Sequence, residues 1–317
     1  MVATCLGLAG LQTAVAAEGY PEKPVTIIVP FNAGGAVDIS ARLLADELSE
    51  KFGQPFTVVN RGGGAGTVGF LALKDAAADG YTILFGPGGS TIVNQLTQRP
   101  PFDLSTDFDS VATVHDTPLA LVMNPTLKVN TVEELIQHAK DHPGVLNGYS
   151  TGTGGLNHFA LEMFNSAAGV EITHIPYNGG SEAIKGLLAN EAQLGFDGLA
   201  LPLGLEKEGK VKILVMTGQE RMSVAPNVPT LNESALPGFV VGSWNGFWAP
   251  KGTPEDVKQI LYSAIQEAVE GTEIEDRLER DFGVIVNVQN PEEMQARIDH
   301  ELARMAQIGK DAGIITE

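Results

Sequence analysis

The sequence predicts an α/β protein of two lobes joined by two crossings, a hinged clamshell with its ligand in the cleft. Three observations predict it. Short apolar runs alternate with amphipathic helical patterns, the alternation occurs twice over stretches of similar size, and 317 residues exceed what one small domain needs.

The first alternation runs from the apolar strand Val25 to Val29 through a helix over Ile39 to Lys51, a strand Phe56 to Asn60, a helix Thr67 to Ala77 and a strand Tyr81 to Phe85. This is a βαβαβ unit of a parallel sheet. Phe52-Gly53 supplies a glycine C-cap and Asp79-Gly80 a turn. The second begins with strand Leu119 to Met123. It continues with helix Val132 to Asp141, strand Leu146 to Tyr149, helix Asn157 to Ala168, strand Ile172 to Ile175, helix Ser181 to Asn190, and strands Gln193 to Asp197 and Lys212 to Thr217. Thr131 with Glu134 has the spacing of a capping box. Helices Pro254 to Val269 and Pro291 to Ala312, with strand Gly283 to Val288 between them, are expected to return to the first lobe. The crossings fall near Val111 to Met123 and Phe239 to Trp248, so residues 20–115 and 245–317 form lobe one and 116–244 lobe two.

Residues 1–17, MVATCLGLAGLQTAVAA, are uncharged, small and apolar and end in alanines, the pattern of an export signal. Cys5 is the sole cysteine and lies inside that segment, which excludes cysteine catalysis and disulfides from the mature chain. A net charge of −19 repels nucleic acid and anionic membrane surfaces. No long apolar stretch follows the first segment, so no membrane insertion is expected.

The most informative stretch is PFNAGGAVD, Pro30 to Asp38, which joins the first strand to a helix through glycines. Unpaired N–H groups and the helix dipole hold an anion there without any basic side chain. Three other loops carry motifs. RGGGAGTVG holds a formal GxGxxG at Gly64, Gly66 and Gly69, but Phe85-Gly86-Pro87 stands where a dinucleotide site needs an acid. FGPGGST places Gly86 and Ser90 at the carboxyl end of a strand, where ligands collect in α/β sheets, although Ser90 and Thr91 also suit a helix cap. GYSTG matches a nucleophile elbow, with Ser150 as nucleophile and His158, His174 or His300 as base, yet Thr151 to Gly155 delay the helix that an elbow requires. A nest of hydroxyls and amides from Ser150, Thr151 and Thr153 is the better reading. Asp197, at the end of a strand, and Tyr177, in PYNGG, either face the cleft or serve a turn and lobe packing. The histidines show no metal spacing, and no cofactor is expected.

The ordered motifs PFNAGGAVD, VVNRGGGAGTVG, DGYTILFG, YSTGTGGLNHFALEMF, HIPYNGG, FDG, PNVPTL, LPGF and WNGFWAPKGTP resemble the Bug family, the TctC-like periplasmic solute receptors of tripartite tricarboxylate transporters. The likeness runs from Tyr20 to the end of the chain. It implies a bilobal type II periplasmic-binding fold with two Rossmann-like lobes, no catalysis, and a small organic acid as ligand: a di- or tricarboxylate, an aromatic acid or an acidic amino acid. Matched by position, the first clamp loop contains Phe31, Asn32, Ala33, Gly34, Gly35 and Asp38. The second contains Ser150, Thr151, Gly152, Thr153 and Asn157, with Asp197 as the cleft aspartate. Asn32 stands where that family often has proline and is the residue expected to add a side-chain contact. The resemblance further implies a monomer in the periplasm with membrane permease subunits as partners. A serine esterase and a ligand sensor docking on a signalling ectodomain remain the alternatives.

Overall fold

The computed structural model describes residues 19–177 and 179–315. The segment read as an export signal lies outside the described residues. The elements run in order β1 (Val25–Val29), α1 (Ala36–Phe52), β2 (Phe56–Asn60), α2 (Thr67–Lys74), β3 (Thr82–Pro87), α3 (Gly88–Gln98) and β4 (Phe108–Met123). There follow α4 (Val132–Asp141), β5 (Asn147–Ser150), α5 (Leu156–Ala168), β6 (Thr173–Pro176), α6 (Gly180–Leu188), β7 (Leu194–Gly198), α7 (Ala200–Lys207) and β8 (Lys212–Met216). The chain closes with β9 (Gly242–Pro250), α8 (Glu255–Val269), α9 (Glu273–Phe282), β10 (Ile285–Val286) and α10 (Pro291–Asp311).

Both parallel units form. β1 pairs in parallel with β2 and β3, and β5 with β6 and β7. Between them lie the antiparallel β4 and β9, so one sheet runs β2-β1-β3-β9-β4-β7-β5-β6, with β8 and β10 also paired to β4. The result is a mixed α/β, bilobal arrangement. β1 is covered on both faces, as parallel strands are: Val25, Ile27 and Val29 join Leu44 of α1 and Leu261 of α8 in one core, while Ile28 joins Phe70 and Trp248 in another. Trp244 and Trp248 are fully buried where the strands cross.

Several elements differ from expectation. The strand expected over Leu119 to Met123 begins at Phe108, because Val111, Ala112 and Val114 bury on one core while polar residues interrupt the apolar run. The second crossing is a true strand, β9. α7 and α9 were not predicted. Only Ile274 and Leu278 of α9 are buried, among five acids and two arginines, so its apolar stripe is too thin to read. The strand expected over Gly283 to Val288 is only two residues long. At α4, Thr131 accepts from the Glu134 amide, but the Glu134 carboxylate takes the amide of Asn130 instead, so the box is half formed. The complete capping box stands at Asn290 and Glu293 on α10.

α3 begins at Gly88, and Ser90 and Thr91 lie in its first turn instead of capping it. A Cβ at Gly88 would fall 2.1 Å from the Trp244 ring. Gly88→Ala is therefore expected to cost about 3 kcal/mol through overpacking, read as a lower urea midpoint at unchanged slope.

Candidate ligand-binding site

α1, α3, α5 and α6 all open after the carboxyl ends of parallel strands, and none has a side-chain cap. α4, α9 and α10 lie elsewhere and are capped by Thr131, Thr272 and Asn290. The strand-following helices thus keep their first N–H groups free for other acceptors.

The starts of α1 and α3 border a cavity of about 460 Å³. Phe31, Gly35, Ala36 and Val37 form one side, and Pro87 and Ser90 a second. The crossing strands provide the floor through His115, Thr117, Ser243 and Asn245, and Phe282 and Val284 complete the wall. No lysine or arginine lines it among the described residues. What the cavity offers is a helix N-terminus, a few neutral polar groups, the Asp38 carboxylate already paired with Arg42, and an apolar surround, a combination suited to an acid held by backbone amides.

Asp38 holds the first loop in place. Its side chain is 3 % exposed, and its two oxygens accept from the Gly34 amide at 2.8 Å, Asn60 Nδ2 at 2.9 Å, and Arg42 Nε and Nη2 at 3.2 and 2.9 Å. Burial pushes the carboxyl pKa up, but the bonds from Arg42, Gly34 and Asn60 outweigh it and leave the group below its usual range. Asn60 also donates to the Phe31 carbonyl, so one polar cluster clamps both ends of the loop. The carboxylate expected to meet ligand lines the cavity and also braces the loop.

Of the residues singled out in sequence, Phe31, Gly35, Asp38 and Ser90 come together around this cavity. Asn32, Ala33 and Gly34 stand exposed on the same loop without lining it. The Asn32 side chain lies against Gly62, where its Oδ1 would be 2.6 Å from an added Cβ, so it braces the neighbouring glycine loop. Gly86 is buried in the β3 ladder opposite Gly246 and beneath Pro30. The second-lobe residues form their own group. Thr151 Oγ1 donates to Asn157 Oδ1 at 3.3 Å, and Asn157 Nδ2 donates to the Phe196 carbonyl at 2.6 Å, tying α5 to β7. Gly152 has φ 150°, and Thr153 is exposed beside it. Asp197 accepts from Tyr149 at 3.3 Å and from the Gly198 amide at 2.8 Å, and burial raises its pKa. Tyr177 packs on Gly186 and donates to Glu191, a lobe-packing contact.

Ser150 is fully buried, 2.7 Å from His174 Nε2 and 3.0 Å from the Gly152 carbonyl. His174 stacks on His158 at 3.6 Å, and His158 Nδ1 accepts the Gly154 amide at 3.1 Å. The ring behind His174 is thus an imidazole where a hydrolase needs an orienting carboxylate, and the hydroxyl is closed to solvent. The serine and histidines hold the loop in shape. His300 lies on α10, away from this group.

His115, Thr117, Ser243 and Asn245 escaped the sequence reading. His115 is 3 % exposed, and burial lowers its pKa to about 4. His158 is also held at about 4, by burial and then by the neighbouring His174, and burial lowers His174. Unfolded, these rings titrate near pH 6.5, so from about pH 6.5 down to pH 4 the unfolded chain binds more protons. Stability is greatest above that window and is expected to fall across it, by about 3 kcal/mol from the buried His115 alone, measured by urea titration at several pH values.

Comparison with known proteins agrees with this architecture. A family model described as tripartite tricarboxylate transporter family receptor matches residues 40–314. Protein BugT of Bordetella pertussis is 32 % identical over 310 residues, covering 97 % of this chain and 95 % of BugT. Among solved structures, a Rhodopseudomonas palustris protein with adipate superposes with TM-score 0.77 at 32 % identity, covering 93 % of this chain and 99 % of that one. MatC from the same organism, with bound malate, gives TM-score 0.70 at 30 % identity, covering 91 % and 99 %. The family match across most of the chain, on a fold with solute-receptor geometry and a sealed Ser150, shows that this protein belongs to the Bug/TctC family of tripartite tricarboxylate transporter receptors and is a binding protein, not an enzyme.

Proposed function

We propose that this receptor works in the periplasm as a monomer, captures a small organic acid by its carboxylate, and delivers it to the membrane permease subunits of a tripartite tricarboxylate-type transporter. The observation that carries the reading is the uncapped start of α1 at Gly35, opening on a cavity that no basic side chain lines. A carboxylate there accepts backbone N–H bonds strengthened by the helix dipole, which suits a protein of strongly negative net charge. In this reading residues 20–115 and 245–317 move as one lobe and 116–244 as the other. Phe31 to Gly35 and Ser90 then meet Ser150 to Thr153, Asn157 and Asp197 when the cleft closes. Support comes from the acids adipate and malate carried by the two related structures. Among the described residues no helix is long and apolar enough to cross a membrane.

Calorimetry with di- and tricarboxylates, aromatic acids and acidic amino acids is expected to give one-site saturable binding. Silence with every acid, in heat and in melting temperature, overturns the reading. The ligand-loaded receptor should be retained by the purified permease subunits more strongly than the ligand-free one; equal retention argues against delivery.

A further inference from the structure

The floor of the cavity holds polar atoms that the fold leaves without protein partners. Both ring nitrogens of His115, Oγ of Ser243 and Oδ1 of Asn245 make no hydrogen bond within the protein. Yet His115 is only 3 % and Asn245 only 6 % exposed. Buried polar groups are nearly always satisfied, so such atoms gathered on one cavity face mark where a ligand supplies the partners.

Strand pairing explains why they meet. His115 pairs with Asn245 and Thr117 with Ser243, and residues two apart on a strand face the same side. The intervening pair, Asp116 and Trp244, faces α10, where Arg297 and Glu301 engage it.

The chemistry of this floor is neutral. With its pKa at about 4, His115 is uncharged at pH 7 and offers one N–H donor and one lone pair. Asn245 and Ser243 add an amide and a hydroxyl. Arg42, the nearest cation to the α1 start along the chain, is committed to Asp38. A carboxylate set on this floor would lose its hydration and gain no counter-charge, whereas a hydroxyl or carbonyl exchanges hydrogen bonds without burying a charge. The rest of the lining is largely apolar, with Phe31, Val37, Phe282 and Val284 beside Ser40 and the Arg42-paired Asp38.

The geometry points to a ligand that is a monocarboxylate with an apolar body ending in a neutral hydrogen-bonding group, a hydroxyl or carbonyl, selected by His115, Ser243 and Asn245. This rests on the reading of the α1 start as the carboxylate site. It sets this receptor apart from its relatives solved with the dicarboxylates adipate and malate.

Two matched triplets test it by calorimetry on the whole protein: benzoate, 4-hydroxybenzoate and terephthalate, then hexanoate, 6-hydroxyhexanoate and adipate. In at least one triplet the hydroxylated acid is expected to bind about tenfold or more tighter than both companions, because a site with polar groups to satisfy rejects the analogue that lacks them. His115→Leu and Asn245→Leu should each shrink that ratio to about threefold or less, and the ratio is read within one protein, so altered stability does not enter it. Ser243→Ala, a smaller change, should lower the ratio too and serves if the leucine variants fail to fold. Tightest binding by the diacid in both triplets, or a ratio unchanged in folded variants, overturns the specificity while leaving carboxylate capture standing. No binding by any of the six acids overturns the specificity, and silence with the wider panel of acids as well overturns carboxylate capture.

Discussion

Gly35→Val is expected to weaken ligand binding by about a hundredfold while leaving the fold largely intact, an effect set by the loss of charge-assisted amide bonds worth about 1.5–3 kcal/mol. Gly35 is the N-cap of α1, with φ −84° and ψ 166°, a conformation any residue adopts. A Cβ there meets nothing nearer than the Asn32 carbonyl at 3.9 Å. The two valine methyls nevertheless project at the opening of the helix, where a carboxylate must come within hydrogen-bond distance of the amides. Replacing a glycine cap by valine costs about 1 kcal/mol, so the melting temperature should move little. Gly34 is a poorer probe: its φ of +86° would strain valine and mix stability with binding. Titration of wild type and variant with the same acid, alongside thermal melts, checks the expectation. Equal affinity would remove the α1 start from the site.

Asp38→Ala should cost about 2 kcal/mol and loosen the first clamp loop as well, because it removes the buried acceptor that three partly exposed partners share. The Gly34 amide loses its acceptor, Asn60 Nδ2 loses one of its two, and Arg42 keeps only its bond to Asn60 Oδ1. Asn60 also holds the Phe31 carbonyl, so the disturbance reaches the cavity wall. Denaturation in urea gives the stability change, and hydrogen exchange at Gly34 reports the loop. The same carboxylate has a depressed pKa in the fold. Its contribution is present in full above the unfolded value, about 3.9, and disappears as pH falls through the folded one. The variant should therefore show a shallower loss of stability in that acid range than the wild type; a drop below about 1 kcal/mol at neutral pH would contradict the bracing role.

How much was legible follows from where each signal resides. β1, its glycine turn and α1 were readable because an apolar run, a turn and a helical stripe lie within one short stretch. Gly53 and Gly80 mark their turns by the same local logic, with φ of 64° and 81°. Nothing local marks Gly88, whose reason lies in a distant Trp244 ring. The resemblance to known receptors carried the loops over by position, yet could not say which side chains already had partners. Asp38 is held by Arg42 and Asn60, and Tyr177 by Glu191, partners that lie outside the motifs themselves. Ser150 likewise could look like a nucleophile only until its burial was known.

By itself, the sequence determined the two parallel units and the glycine turn before α1, since each rests on dihedral preference and periodicity over a few residues. The tertiary structure alone decided the cavity floor. His115 faces the cavity with Asn245 because β4 and β9 pair antiparallel with register shifts between Ser110 and Ala112 and between Thr113 and His115. A slip of one residue would turn His115 toward α10 and bring Asp116 to the cleft. That choice is made by strand pairing between distant parts of the chain, which no local pattern encodes.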